Sequence, residues 1–318
     1  MTYPKSLNSR RIKMNSETNT KIEDVLIESL PYIRDFADSV MVVKVGGNAM
    51  ANPEAASDLT ENIIKDIVLL HFVGVKIVVV HGGGPEISEK MTRLGKTPEF
   101  IGGLRVTDDE TLEIATMVLV GNINTRMVSL INRFGGKGVG LNGIDSRLIL
   151  ARKKMQKVVI DGNVEDVDIG WIGETEIINP EILNIMIDNG YIPVISPIAT
   201  DINGHSLNIN ADTVAGDIAA ALGAKKLIMM TDVSGVLRDR NDKSSRMSQI
   251  DVNEIENLID ARVIAGGMIP KVRGAAVAVK SGVEGVHIIN GSEKHSILLE
   301  LFTDTGVGTM IHDGSKDE

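Results

Sequence analysis

A chain of 318 residues has room for about two domains or lobes, at roughly 150 residues each. A formal net charge of −10 and an aromatic content of 3% exclude a nucleic-acid binder, which needs a basic face for phosphates and rings for stacking. With no cysteine, six scattered histidines and no apolar run near the roughly 20 residues that span a bilayer, the chain reads as cytoplasmic, without membrane, disulfide or metal site of its own.

Residues 1–20 are polar and aperiodic, which predicts a frayed arm, and Met14 offers an alternative start. From Lys21 to about Asp38, Ile22, Val25, Leu26, Leu30, Ile33 and Phe36 recur at helical spacing and predict an amphipathic helix that needs a partner surface. Next come a strand at 41–46, a helix over 55–72, a strand at 75–80, a helix from about Pro85 to Leu94 and a Gly-rich loop at 102–104. A helix over 108–134 and a strand near 138–141 follow, and then the alternating, charged stretch 147–178, divided at Gly162-Asn163, predicts a β-hairpin lid. The pattern closes with helix 180–189, strand 191–195, a turn at Asn203-Gly204, a helix from near Asp212, strand 226–231, helices 251–261 and 270–281, and strand 285–289. Strands alternating with helices predict an α/β fold with a mainly parallel sheet covered on both faces.

Val43-Lys44-Val45-Gly46-Gly47 and Val80-His81-Gly82-Gly83-Gly84-Pro85 each run a β-branched segment into consecutive glycines. Such glycines let backbone N–H groups approach an anion at the start of the following helix. Lys44, inside an apolar strand, is either a lysine snorkelling at a sheet edge or a phosphate ligand at a strand end. Neither segment is a P-loop, and the dinucleotide fingerprint is missing, which disfavours a dehydrogenase. Arg105, after Gly102-Gly103, offers a fork suited to a carboxylate, with Thr107 or Asp108 as the next helix cap. Asn208 and Asn210 share one face of an extended segment, and Asp212 is either a helix cap or a cleft carboxylate. Asp232-Val233-Ser234-Gly235 follows a strand as a nucleotide-contacting turn would. Lys271 opens a helix at Gly267-Met268-Ile269-Pro270, where a cation opposes the helix dipole unless an anion is bound.

In this order, and over about residues 40–312, these motifs resemble those of the amino acid kinase family. The resemblance implies an open αβα sandwich: residues 1–38 as arm and interlocking helix, 39–223 as the lobe binding N-acetyl-L-glutamate, and 224–318 as the lobe binding ATP. It implies phosphorylation of the side-chain carboxylate, the second step of arginine biosynthesis, with Mg²⁺ brought by the nucleotide. Lys44 and Lys271 would stabilise the transition state from opposite sides, with Asp212 orienting both. Gly46, Gly47 and Gly83 would donate N–H groups to the phosphoryl oxygens. Gly83, Gly84, Arg105 and Asn208 would hold the acid, and Asp232, Ser234, Gly235 and Ala265 would line the ATP site.

Arginine-inhibited members carry a helix ahead of the first strand and a C-terminal run like His287 to Thr309 here. This implies a hexamer of three dimers linked by swapped helices, with arginine bound near His295, Glu300 and Gly306, and a PII-type protein as a further candidate partner. Asn290-Gly291-Ser292 departs from the Asp-Gly-Arg frequent at that place, which implies weaker or altered inhibition. Sibling kinases acting on carrier-bound aminoadipate, carbamate, aspartate or glutamate, and a silent arginine sensor, are the competing readings. Gly103-Leu104-Arg105-Val106-Thr107 and the N-terminal helix favour acetylglutamate, and intact Lys44, Asp212 and Lys271 favour an enzyme.

Overall fold

The computed structural model describes residues 16–46, 56–160, 163–239 and 242–316. Helix α1 (Ser16–Phe36) precedes β1 (Val40–Val45), and α2 (Ala56–Phe72) crosses over to β2 (Lys76–His81). α1 begins inside the stretch expected to fray; residues 1–15 of that arm, with Met14, lie outside the described residues. β1 and β2 are β-branched and almost wholly buried, as strands covered by helices on both faces must be. They pair in parallel, with Val42 opposite Val78 and Lys44 opposite Val80. α3 (Gly84–Arg93) starts on the glycine run. The expected Gly-rich loop is the turn of a short hairpin, β3 (Phe100–Ile101) and β4 (Leu104–Arg105), with Gly102 and Gly103 at φ of +57° and +81°, where a side chain is strained.

The helix expected over 108–134 changes pitch in the middle: α4 (Asp109–Thr116), a π-helical stretch (Met117–Asn124) and α5 (Thr125–Arg133). Asp108, not Thr107, caps it, accepting from Thr111 N at 2.8 Å. Contrary to the reading that no apolar run suffices, Asp109–Arg133 is long and apolar enough to cross a membrane. Its Ile114, Leu119, Ile123, Met127 and Ile131 instead pack in the protein core.

β5 (Gly138–Asn142) is followed by β6 (Ile149–Ile160) and β7 (Asn163–Ile178), the expected hairpin, whose turn residue Gly162 lies outside the described residues. After α6 (Glu181–Asp188) and β8 (Ile192–Ser196), strands β9 (Ile198–Thr200) and β10 (Ser206–Asn208) close with β6 and β7 into a small barrel, so the hairpin is braced at its base. The chain continues through α7 (Ala211–Ala221), β11 (Lys226–Thr231), β12 (Gln249–Asp251), α8 (Ile255–Asp260), α9 (Met268–Lys280), β13 (Gly285–Asn290), α10 (Ser296–Leu301) and β14 (Thr309–His312). α8 is shorter than the expected 251–261 helix because β12 takes Asp251 and a turn takes residues 252–254.

The central sheet runs β12-β14-β13-β11-β1-β2-β8-β5, parallel except where β14 opposes β13. One face buries Val42, Val80, Ile218 and Val272 under α7 and α9; the other buries Val43, Val79, Ile64 and Ile123 under α2 and the long helix. This is the expected αβα sandwich. The chain moves outward from β1 to β2 on one side and from β11 to β13 on the other, so the order reverses between β1 and β11. A crevice must open at the carboxyl ends of those strands.

His81 ends β2 fully buried, its Nδ1 3.0 Å from Gly82 O and its Nε2 3.3 Å from Asn124 Nδ2 in the π-helical stretch. Donation from Nδ1–H to Gly82 leaves Nε2 to accept from the amide, and burial pushes the imidazole pKa down to about 4. The unfolded chain therefore binds an extra proton between about pH 6.5 and 4, and stability falls as the pH drops through that window. The loss approaches about 3 kcal/mol at the acid end. His81→Asn should narrow the gap in urea midpoint between pH 7 and pH 4.5; an unchanged gap would contradict a buried neutral histidine.

Candidate active site

Lys44 leaves the carboxyl end of β1 and Lys271 stands in the first turn of α9, and both reach Asp212 in the first turn of α7. Lys44 Nζ lies 2.7 Å from Asp212 Oδ1, and Lys271 Nζ lies 2.9 Å from Oδ2. The second contact is a well-formed hydrogen bond, whereas the first is close but poorly aligned, a charge contact more than a directed bond. Burial pushes the Asp212 carboxyl upward, but the two ammonium groups outweigh it and hold the group below the usual carboxylate range. Two lysines and one carboxylate leave a net positive charge facing the crevice.

Asp212 is free for this role because it is not the helix cap. Asn210 is, accepting from Asp212 N at 2.8 Å and Thr213 N at 3.2 Å. The two lysines look into different cavities. One, of about 250 Å³, is lined by Lys44, Gly83, Gly84, Arg105, Asn208 and Asp212. The other, of about 740 Å³, is lined by Lys271 with Asp232, Ser234, Gly235, Ala265 and Asn290. The carboxylate lines the smaller cavity and holds the lysine that lines the larger.

In the smaller cavity Arg105 is buried at 7% exposure, and no carboxylate among the described residues pairs with it. Its Nη2 donates to Gly84 O and Ser88 Oγ, each at 2.8 Å, and its guanidinium lies 4.7 Å from the Phe100 ring centroid. A buried cation held only by neutral groups is suited to an anionic ligand. Ser88 and Phe100 carry no sequence motif; spacing of Ser88 one helical turn after Gly84 is the one signal that could have pointed to it. A Cβ built on Gly83 would lie 2.4 Å from Ile123 Cδ1, so the glycine loop rests on the π-helical stretch. A Cβ on Gly46 would lie 2.9 Å from Met230 O, so β1 and β11 approach closely at the reversal point. Gly47 lies outside the described residues.

In the C-terminal segment Glu300 and Gly306 lie together, and His295 stands apart from them. His295 turns to α2, its Nδ1 2.6 Å from Asp66 Oδ1, and burial pushes that carboxyl up to about 6 against the pull of His295. Glu300 instead meets His287 Nδ1 at 2.7 Å and accepts from Val307 N and Gly308 N, each at 2.7 Å. Burial raises and these donors lower the Glu300 carboxyl, with a net fall, while burial lowers His287. The pair is thus a carboxylate receiving a bond from a neutral imidazole. Gly306, at φ of +55°, packs on Glu300, where a Cβ would lie 2.6 Å from Oε2.

Residues 39–290 match the model of the amino acid kinase family. The chain belongs to that family. Among its relatives, proteins named acetylglutamate kinase from Methanococcoides burtonii and Methanosarcina mazei are 65% and 67% identical, over 93% and 92% of this chain and 96% and 99% of their own. Among solved structures, N-acetylglutamate synthase from Neisseria gonorrhoeae complexed with coenzyme A and N-acetyl-glutamate aligns at a TM-score of 0.78 with 26% identity. That match covers 92% of this chain and 63% of the synthase. Giardia carbamate kinase shares the fold, at a TM-score of 0.63 and 19% identity over 87% of this chain and 99% of its own.

In this amino acid kinase, the position of Asp212 depends on the cap below it. Asn210→Ala should cost about 1 kcal/mol of stability, with Asn210→Ser recovering most of it, in urea titrations. Equal midpoints for wild type and the alanine variant would contradict the cap.

Proposed function

We infer that the chain transfers the γ-phosphoryl group of ATP to the side-chain carboxylate of N-acetyl-L-glutamate, giving N-acetyl-L-glutamyl 5-phosphate and ADP in the arginine pathway of the cytoplasm. The observation that carries this reading is Asp212 gripping Lys44 at 2.7 Å and Lys271 at 2.9 Å, with one lysine lining each of two cavities. The larger, at about 740 Å³, has room for a nucleotide, and the smaller, with its buried Arg105, suits a small dicarboxylate. The acetylglutamate kinases at 65% and 67% identity support the choice of acid.

An oxygen of the acid's side-chain carboxylate attacks the γ-phosphorus as the bond to the β,γ-bridging oxygen breaks, and ADP leaves with that oxygen. The attacking carboxylate is already ionised at neutral pH, so no general base is required. The demand is to align two anions and neutralise the charge spread over the transferring group. Lys44 serves from the acid side and Lys271 from the nucleotide side, with N–H groups of Gly46 and Gly83 completing the cradle. Arg105 grips the α-carboxylate, with Gly84 and Asn208 beside it, while Asp232, Ser234, Gly235 and Ala265 contact the nucleotide. Among the described residues no group of three or more His, Cys, Asp or Glu is placed to hold a metal ion. Mg²⁺ brought by the nucleotide would supply further charge neutralisation on the phosphates.

Arginine inhibition and a hexameric ring belong to the same reading. Leu26, Ile27 and Leu30 of α1 are 62%, 70% and 49% exposed on one face of the helix, an apolar stripe suited to the same helix of a second dimer. The C-terminal end of α1 meets the 300–306 segment: Tyr32 donates to Asp304, and Tyr32 and Phe36 stand edge-on to Phe302 at 6.2 and 6.0 Å. Arginine would bind along that seam near Glu300 and Gly306, with His295 contributing only after leaving Asp66.

ADP release from MgATP should be fast with N-acetyl-L-glutamate, negligible with glutamate, aspartate or carbamate, and suppressed by millimolar arginine. Turnover of carbamate or aspartate in its place would overturn the assignment. Removing residues 1–38 should leave dimers and abolish inhibition, as read by light scattering and the same assay; a persisting hexamer would reject the swapped-helix ring.

A further inference from the structure

Thr309 opens β14 with no exposed surface, and its hydroxyl makes two bonds to a different part of the fold. Oγ1 accepts from Val236 N at 2.9 Å and donates to Met247 O at 2.7 Å. Val236 and Met247 lie on opposite sides of a small antiparallel ladder, in which Met247 N donates to Val236 O at 2.9 Å and Arg238 N donates to Ser245 O at 3.0 Å. The hydroxyl therefore ties that ladder to the edge of the central sheet. Gly235, at φ of +105°, packs on the same hydroxyl: a Cβ there would lie 2.5 Å from Oγ1. Gly235 and Val236 both line the 740 Å³ cavity.

Thr309 is itself held from two directions. Glu300 accepts from Val307 N and Gly308 N at 2.7 Å, and Arg246 Nη2 donates to Gly306 O at 3.0 Å while Nη1 reaches Gly308 O. These bonds use the polar groups of the residues just before Thr309 and leave the segment little freedom to shift. The turn at 232–235 carries no regular secondary structure, so its shape depends on what it leans against.

We propose that Thr309 is a positioning residue for the nucleotide-binding turn, setting affinity for ATP through Gly235 and Val236 without contact with the acid's cavity. This rests on the reading of the larger cavity as the nucleotide site. Thr309→Val keeps the shape, removes both hydrogen bonds, and leaves a buried N–H and a buried carbonyl without their partner. KM for ATP and Kd for ADP should each rise about tenfold, the equivalent of about 1.4 kcal/mol, with KM for N-acetyl-L-glutamate within twofold of wild type. Thr309→Ser, which restores the hydroxyl, should return KM for ATP to within twofold. If Thr309→Val does not fold, Thr309→Ala takes its place, with the same comparison of the two KM values against Thr309→Ser. Wild-type turnover combined with an unchanged KM for ATP in the folded variant, an equal rise in both KM values, or no rescue by serine overturns this inference alone. Wild-type protein that neither binds ADP nor transfers phosphate overturns the underlying reading as well.

Discussion

The half-buried contact among Lys44, Asp212 and Lys271 is the constraint around which the rest of the structure is arranged. Two ammonium groups near one another in a partly dry crevice repel, and a carboxylate between them makes the arrangement stable while leaving net positive charge for an anion. Asp212 retains 24% side-chain exposure, so the group sits at the mouth of the crevice, within reach of a ligand. Each of the three comes from a different element, β1, α7 and α9, and the geometry survives only if those elements are fixed against one another. The central sheet supplies that rigidity: β1 is hydrogen-bonded to both β2 and β11, and α7 and α9 pack together over one face.

The supports around the site are neutral, and His81, Asn124 and Thr309 among them are buried. His81 and Asn124 brace the base of one glycine loop, Ser88 and Phe100 hold Arg105, Asn210 caps the helix that carries Asp212, and Thr309 braces the larger cavity's turn. None of these side chains brings charge into the crevice. The lysines and the arginine bring it: Asp212 holds the two lysines, and neutral groups hold the arginine. An enzyme whose task is to bring two anions together needs this division, because every uncommitted carboxylate near the site would compete with the substrates.

Much of this was legible in the sequence. β1, β2 and β11 are mainly apolar runs, and the glycines, Lys44, Arg105 and Lys271 stand at or next to element ends where charge and flexibility have no packing use. Local pattern failed where tertiary contact decides. The π-helical turn at 117–124 looks like α-helix in sequence because both display similar apolar faces. β12 and β14 are short edge strands fixed by pairing with distant partners. Alternation places Asn210 with Asn208 on one face of an extended segment and leaves Asp212 as the candidate cap, whereas the geometry makes Asn210 the cap and frees Asp212. Glu300 is five residues from His295 in sequence, yet it meets His287, because α10 turns Glu300 toward β13 while His295, at its start, faces Asp66.

The most direct test of the Asp212 bridge compares ligands that mimic successive stages of the reaction. Isothermal titration of wild type and Asp212→Asn with MgADP alone, and with MgADP, aluminium fluoride and N-acetyl-L-glutamate together, separates ground-state binding from the transition-state geometry. If Asp212 holds both lysines for the transferring group, the variant binds MgADP within a fewfold of wild type but loses about 10²-fold or more in affinity for the aluminium fluoride complex. Equal affinity of the two proteins for that complex would contradict the account, since the lysines would then be positioned without the carboxylate between them.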